Sequence, residues 1–164
     1  MEKQYGIQER NDQLIRFRTG KTILLFGYGE EERDGEVVGY QWQHTWYLPP
    51  TSEQVVKFIT DFIDHQTDEK ILTGYQWNGI SVWLSTENQF NFKAAYDVAV
   101  QTQGGILPIT FKLGEDAEGK PQYFTFDDMQ TFSNFYTGAI AYIQQTLAKG
   151  WQEKDMAREK FQDK

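Results

Sequence analysis

Tyr75-Gln76-Trp77-Asn78-Gly79-Ile80-Ser81-Val82-Trp83 alternates apolar with polar side chains on either side of an Asn-Gly pair. Asn-Gly readily supplies the two positive φ angles of a type I′ turn, so the segment reads as a tight hairpin. A two-residue loop pairs Trp77 with Ile80 and Tyr75 with Val82 on one face. Trp83 then falls on the opposite face, beside Gln76 and Ser81, and needs a second surface. Packing against the amino-terminal half is the expectation, because an exposed indole on a short hairpin is an aggregation liability.

Downstream, Ser85 or Thr86 can cap a helix over 87–102, with Phe92, Ala95, Tyr96 and Ala99 at helical spacing and Gly104-Gly105 as its stop. Another hairpin runs Leu107 to Leu113 and Gln122 to Phe126 around the Gly114 to Gly119 loop. Asp127 or Asp128 opens a last helix whose stripe is Met129, Phe132, Tyr136, Ile140, Ile143 and Leu147. That helix is expected to end near Gly150-Trp151, with a charged, frayed extension beyond.

Upstream, Tyr5 to Arg10 and Gln13 to Arg18 read as short strands joined at Asn11-Asp12, residues that tolerate left-handed turn geometry. Thr22 to Tyr28 and Val37 to Tyr47 form a longer hairpin around the charged loop Gly29 to Glu36. After Pro49-Pro50, Thr51 with Gln54 fits a capping box opening a helix through about His65, with Val55, Ile59, Phe62 and Ile63 on its buried face. The class is therefore α+β: antiparallel strands in hairpins with about three helices, ordered hairpin-hairpin-helix and then two hairpin-helix units. The expected organisation is a β-rich unit with one helix over 1–66, a ββαββα unit over 67–155 and a charged tail over 156–164, together one body.

The run TDEKILTGYQWNGISVWLSTENQFNFKAAYDVAVQT (67–102), then LPITFKLGED (107–116) and FYTGAIAYIQQTLAKGWQEKD (135–155), resembles an uncharacterised phage and prophage family, often encoded among tail genes. The first half is similar to the amino-terminal region of its longer members. The resemblance implies a tail-associated setting and carries over no activity or catalytic residue.

Hydrophobic residues make up 39% and aromatics 16%, so burial must rest on large rings more than on aliphatic side chains. A net charge of −8 repels a phosphate backbone, so nucleic acid and anionic membrane are disfavoured partners. The chain has no cysteine, which excludes disulfides and thiolate chemistry. The first residues form no apolar signal segment, and Ile23 to Phe26 is far too short to span a bilayer. Localisation in the cytoplasm of a bacterial host, or in a virion, is the expectation.

Chemistry is sparse. His44 and His65, the two histidines, lie on different expected elements. His65 follows Asp61 by one helical turn and precedes Asp68 and Glu69, a pattern that could bind a divalent metal; a solvated acidic helix end explains it better, and no metal is expected. Asp127-Asp128 reads as helix capping rather than as an acid and base pair. Gly27-Tyr28-Gly29 precedes acidic residues rather than a helix, so it is no phosphate cradle, and neither a nucleophile elbow nor a dinucleotide fingerprint occurs. No cofactor and no enzymatic activity are expected.

The candidate binding residues are aromatic. Alternation along Tyr40 to Tyr47 puts Tyr40, Trp42, His44 and Trp46 on one face, a platform for sugar rings or a partner protein if exposed, and a cover for the sheet beneath the Val55 to Ile63 helix if not. Trp83 completes the set. The functional expectation is a non-enzymatic phage or prophage accessory protein acting through contacts with other phage proteins or with itself; the alternative is a small glycan- or peptide-binding domain.

Overall fold

The computed structural model describes residues 1–162, and within them the expected α+β arrangement of antiparallel hairpins and three helices is present. The chain divides into two compact units, Met1–Phe62 with the segment from Asp155 on, and Ile63–Lys154. Among the described residues no helix is long and apolar enough to cross a membrane.

The first unit holds a four-stranded antiparallel sheet of β1 (Glu2–Tyr5), β2 (Gln13–Arg16), β3 (Thr22–Arg33) and β4 (Glu36–Trp46), in the order β1-β4-β3-β2. The hairpin expected at Asn11-Asp12 does not form. Two short strands with few apolar residues gain more from the long ladders beside them: β1 pairs with β4 and β2 with β3, at opposite edges of the sheet. Residues 6–12 become a strap between those edges. Gly6 N and Ile7 N donate to Gly39 O at 3.0 and 3.2 Å, and Gln41 Nε2 donates to Asn11 O at 2.7 Å. A bulge in β3 sets Gly27 and Tyr28 against Gln41, and the freed Gly27 N donates to Asp12 Oδ1 at 2.7 Å. Asn11 and Asp12 thus anchor the strap. Gly39 must be glycine, since a Cβ there would stand 2.0 Å from Ile7 O.

On the other face of this sheet, Thr22, Leu24 and Phe26 are buried in register with Trp46, His44 and Trp42. The helix α1 (Ser52–Thr73) opens with the expected capping box: Thr51 N donates to Gln54 Oε1 at 2.9 Å and Gln54 N to Thr51 Oγ1 at 3.2 Å. Its Val55 and Ile59 are fully buried.

In the second unit the Asn-Gly hairpin is as read. Strands β5 (Tyr75–Trp77) and β6 (Ile80–Val82) pair Trp77 with Ile80 and Tyr75 with Val82, and Asn78 and Gly79 have φ of 48° and 79°. Helix α2 (Thr86–Gln101) follows, with Ser85 Oγ accepting from Asn88 N. Then come β7 (Ile109–Glu115), β8 (Pro121–Phe126) and α3 (Met129–Phe161), whose first turn is capped by Asp128: Thr131 N donates to Oδ1 at 2.8 Å. That hydrogen bond holds the Asp128 carboxyl below its ordinary pKa, as a cap does. Rings fill the core as composition requires: Phe92, Phe126, Phe132 and Phe135 are buried, and Trp77 packs edge-to-face on Phe135 at 5.4 Å.

Both long helices overrun their expected ends. Beyond His65, α1 continues the stripe of Ile63 through buried Thr67 and half-buried Ile71 and stops only at Gly74, where a Cβ would stand 2.6 Å from Lys70 O. Gly150 does not stop α3. A Cβ on Gly150 would stand 2.6 Å from Thr67 Oγ1, so this glycine lets two helices approach closely and the helix runs on. The stretch expected to fray is helical to Phe161, with Ala157 and Phe161 buried one turn apart; positions 163 and 164 of that tail lie outside the described residues.

Candidate functional site

On β4, alternation sends Tyr40, Trp42, His44 and Trp46 to one face, and α1 lies over that face. Trp42 meets Phe62 edge-to-face at 5.1 Å, and the His44 ring lies 4.2 Å from that of Phe58 and 4.6 Å from that of Trp46. All four are half-buried. They form a ring ladder beneath a helix rather than an open platform. Burial pushes the His44 imidazole below its ordinary pKa. His65, on exposed helix surface, has Nδ1 3.8 Å from Glu69 Oε1, and among the described residues no three His, Asp or Glu gather as a metal would require.

At the Tyr40 end of the ladder the surroundings change. Lys3, opposite Trp42 on β1, holds its ammonium 4.1 Å from the centre of the Tyr40 ring and 5.5 Å from that of Trp42. Its Nζ also donates to Glu31 Oε2. The hydrogen bond with Lys3, and then that with Tyr5, holds the Glu31 carboxyl below its usual range. Arg33 sits 4.2 Å over the Tyr5 ring, so two cations and a carboxylate are interleaved with three aromatic rings.

Trp83 departs from the expectation of burial: it is 40% exposed, with Lys112 Nζ 5.6 Å from its ring centre. The backbone explains the orientation. Trp83 N donates to Leu113 O at 2.7 Å and Leu84 N to Leu72 O at 3.0 Å. Trp83 O accepts from Asn88 Nδ2 at 2.9 Å, and Leu84 O from Gln89 Nε2 at 2.6 Å. All four polar groups of this dipeptide are satisfied, which fixes it as an extended step with Leu84 turned into the core and Trp83 turned out.

Leu84 also floors a groove of about 330 Å³ between α2 and α3, walled by Phe90, Phe92, Tyr136, Ile140 and Ile143. Phe90 projects beside it with 71% of its surface exposed, and Ile140 is 37% exposed. Lys93 on the rim is paired with Asp97 at 2.5 Å. This groove escaped the sequence reading. Ile140 stood in the expected core stripe of α3, but the core takes Phe132, Phe135 and Ala139, which turns Ile140 outward. The available signal was Phe90, an aromatic residue off the Phe92, Ala95, Tyr96, Ala99 stripe of its helix.

Comparison with protein families, characterised proteins and solved structures finds no match to this chain.

Proposed function

We propose that this protein is a non-catalytic binding module acting through protein-protein contacts. The observation that carries this reading is the apolar groove between α2 and α3, with Phe90 standing almost free beside it. A ring held out on a rigid, capped helix next to an apolar recess offers contact area at little cost in side-chain entropy, as in interaction hot spots. The histidines support the same reading: one is wedged among rings and the other is solvated on a helix surface. A place among phage or prophage tail components rests on the resemblance of 67–102, 107–116 and 135–155 alone.

Photo-crosslinking tests the reading. A benzoylphenylalanine at position 90 should give protein adducts, either a second copy of the chain or a distinct partner. Phe90→Asp should abolish the same association while leaving the melting temperature within a degree or two. Absence of any protein adduct at position 90 counts against the groove as a contact surface.

A second reading, a glycan- or peptide-binding domain, is favoured by the exposed Trp83 ring with Lys112 beside it. It predicts saturable quenching of Trp83 fluorescence by an oligosaccharide or peptide, lost in Trp83→Phe.

A further inference from the structure

Strand β1 contributes almost no apolar burial: its residues are Glu2, Lys3, Gln4 and Tyr5, and only Lys3 is better than exposed. Its ladder with β4 is four residues long. What distinguishes it is where Lys3 ends. The ammonium lies against Tyr40 at 4.1 Å and Trp42 at 5.5 Å, and its charge is met by Glu31. Both charged side chains are about 30% exposed, Lys3 at 29% and Glu31 at 30%, less than in the helix-surface pairs Lys57–Asp61 and Lys93–Asp97. Two ring faces and a carboxylate around an ammonium constitute an alkylammonium-recognising cage.

The cage belongs to β3 and β4, whereas the cation filling it belongs to the edge strand. The β3-β4 ladder places the backbone of Glu31, Tyr40 and Trp42, and Phe62 packs on Trp42, while β1 adds Tyr5 against the Tyr40 ring and the Glu31 carboxylate, so an incoming strand has to replace both Lys3 and Tyr5. From this we infer that the β4 edge is a binding site for a lysine-bearing extended segment, and that β1 is an internal strand that fills it in the absence of a partner. An incoming strand would make the same backbone ladder with β4 and insert a lysine between the Tyr40 and Trp42 rings, the mode of strand addition to a sheet edge. The site is distinct from the α2–α3 groove and stands whether or not that groove binds protein. The competing account is that Lys3 only keeps a sheet edge from pairing, as edge lysines commonly do.

The full chain carrying Lys3→Ala, in which the internal strand has lost its cation, separates the two. Titrated with the synthetic segment Glu-Lys-Gln-Tyr-Gly, capped at both ends, it should show saturable binding read from tryptophan fluorescence. The same segment with norleucine in place of lysine should bind at least tenfold more weakly, and that preference should vanish in Lys3→Ala/Glu31→Gln. Free n-propylammonium, the piece of the lysine side chain that the variant lacks, should bind more than tenfold more weakly than the lysine segment. Equal binding of the lysine and norleucine segments, or of the free amine and the segment, overturns the inference. If Lys3→Ala does not fold, the wild-type chain is exposed to excess segment while deuterium exchange at the β1 amides is followed. Faster exchange with the lysine segment but not the norleucine one supports displacement; identical exchange with both overturns it.

Discussion

Gly114 lies so close to Ser81 that a Cβ on it would stand 2.1 Å from the Ser81 carbonyl oxygen. This approach joins β6 to β7: one residue away, Leu113 is the extra residue of a bulge in β7, and its carbonyl accepts the Trp83 amide. Gly114→Ala should therefore force the two hairpins apart. The expected cost is about 2 to 3 kcal/mol, the upper range for overpacking a tight interior, read as a lowered midpoint in a denaturant melt. A variant as stable as the wild type would mean that the backbone there can shift freely.

Gly79 gives a different kind of glycine test. Among the described residues nothing lies within 4 Å of a Cβ placed there, so a substitution meets no neighbour and costs only what the positive φ of 79° imposes. Gly79→Val should destabilise the fold by roughly 1 to 2 kcal/mol from backbone strain alone. Unchanged stability in urea would contradict the turn assignment.

Trp83→Ala should cost little for so large a deletion. With 40% of the residue in solvent and its backbone held by two hydrogen bonds that the substitution leaves intact, about 1 kcal/mol is expected, against ~3 to 5 for a buried ring. A loss of 3 kcal/mol or more would show that Trp83 is packed in solution.

The Lys3–Glu31 contact predicts a pH window. Its hydrogen bond to Lys3 lowers the Glu31 pKa from 4.5, so its contribution is complete above pH 4.5 and is lost as pH falls through the lowered folded value. The bond to Glu31 raises the Lys3 pKa from 10.5, so that contribution is complete below pH 10.5 and is lost as pH rises through the raised value. Tyr5, Tyr40 and Arg33 face the same pair. Amide protection in β1, corrected for intrinsic exchange, should be flat from pH 5 to 8 and weaker at pH 3. Glu31→Gln should abolish the difference; persistence of the acid loss in that variant would assign it to another group.

Local signals in the sequence were read where the physics is local. Asn78-Gly79, the Thr51/Gln54 box, Ser85 and Asp128 act over two to four residues and stand as read. The glycines misled where their role is set by a distant residue: Gly150 reads as a stop until Thr67 is found against it. The Asn11-Asp12 turn failed for the same reason, because its alternatives were the edges of strands far along the chain. Of the candidate site, alternation placed the β4 rings on one face, but only the position of α1 decides that they are covered. Of the groove only Phe90, off its helix's apolar stripe, left a signal; the α3 wall could not be read, since whether Ile140 or Ala139 enters the core depends on how α3 is rotated against α2 and the strands.

The strap over the first sheet also orders events in time. The long β3-β4 hairpin closes around the short turn at Asp34 and Gly35, a cheap local loop. Strands β1 and β2, though neighbours in sequence, have no template until that hairpin exists, and residues 6–12 have no face to cross. The sheet must therefore condense from its middle, with both margins annealing afterwards as the strap is drawn across Gly39 and Gln41. Pulse-labelled exchange during refolding should accordingly find the β3 and β4 amides protected before those of β1 and β2, and simultaneous protection of all four strands would refute that order.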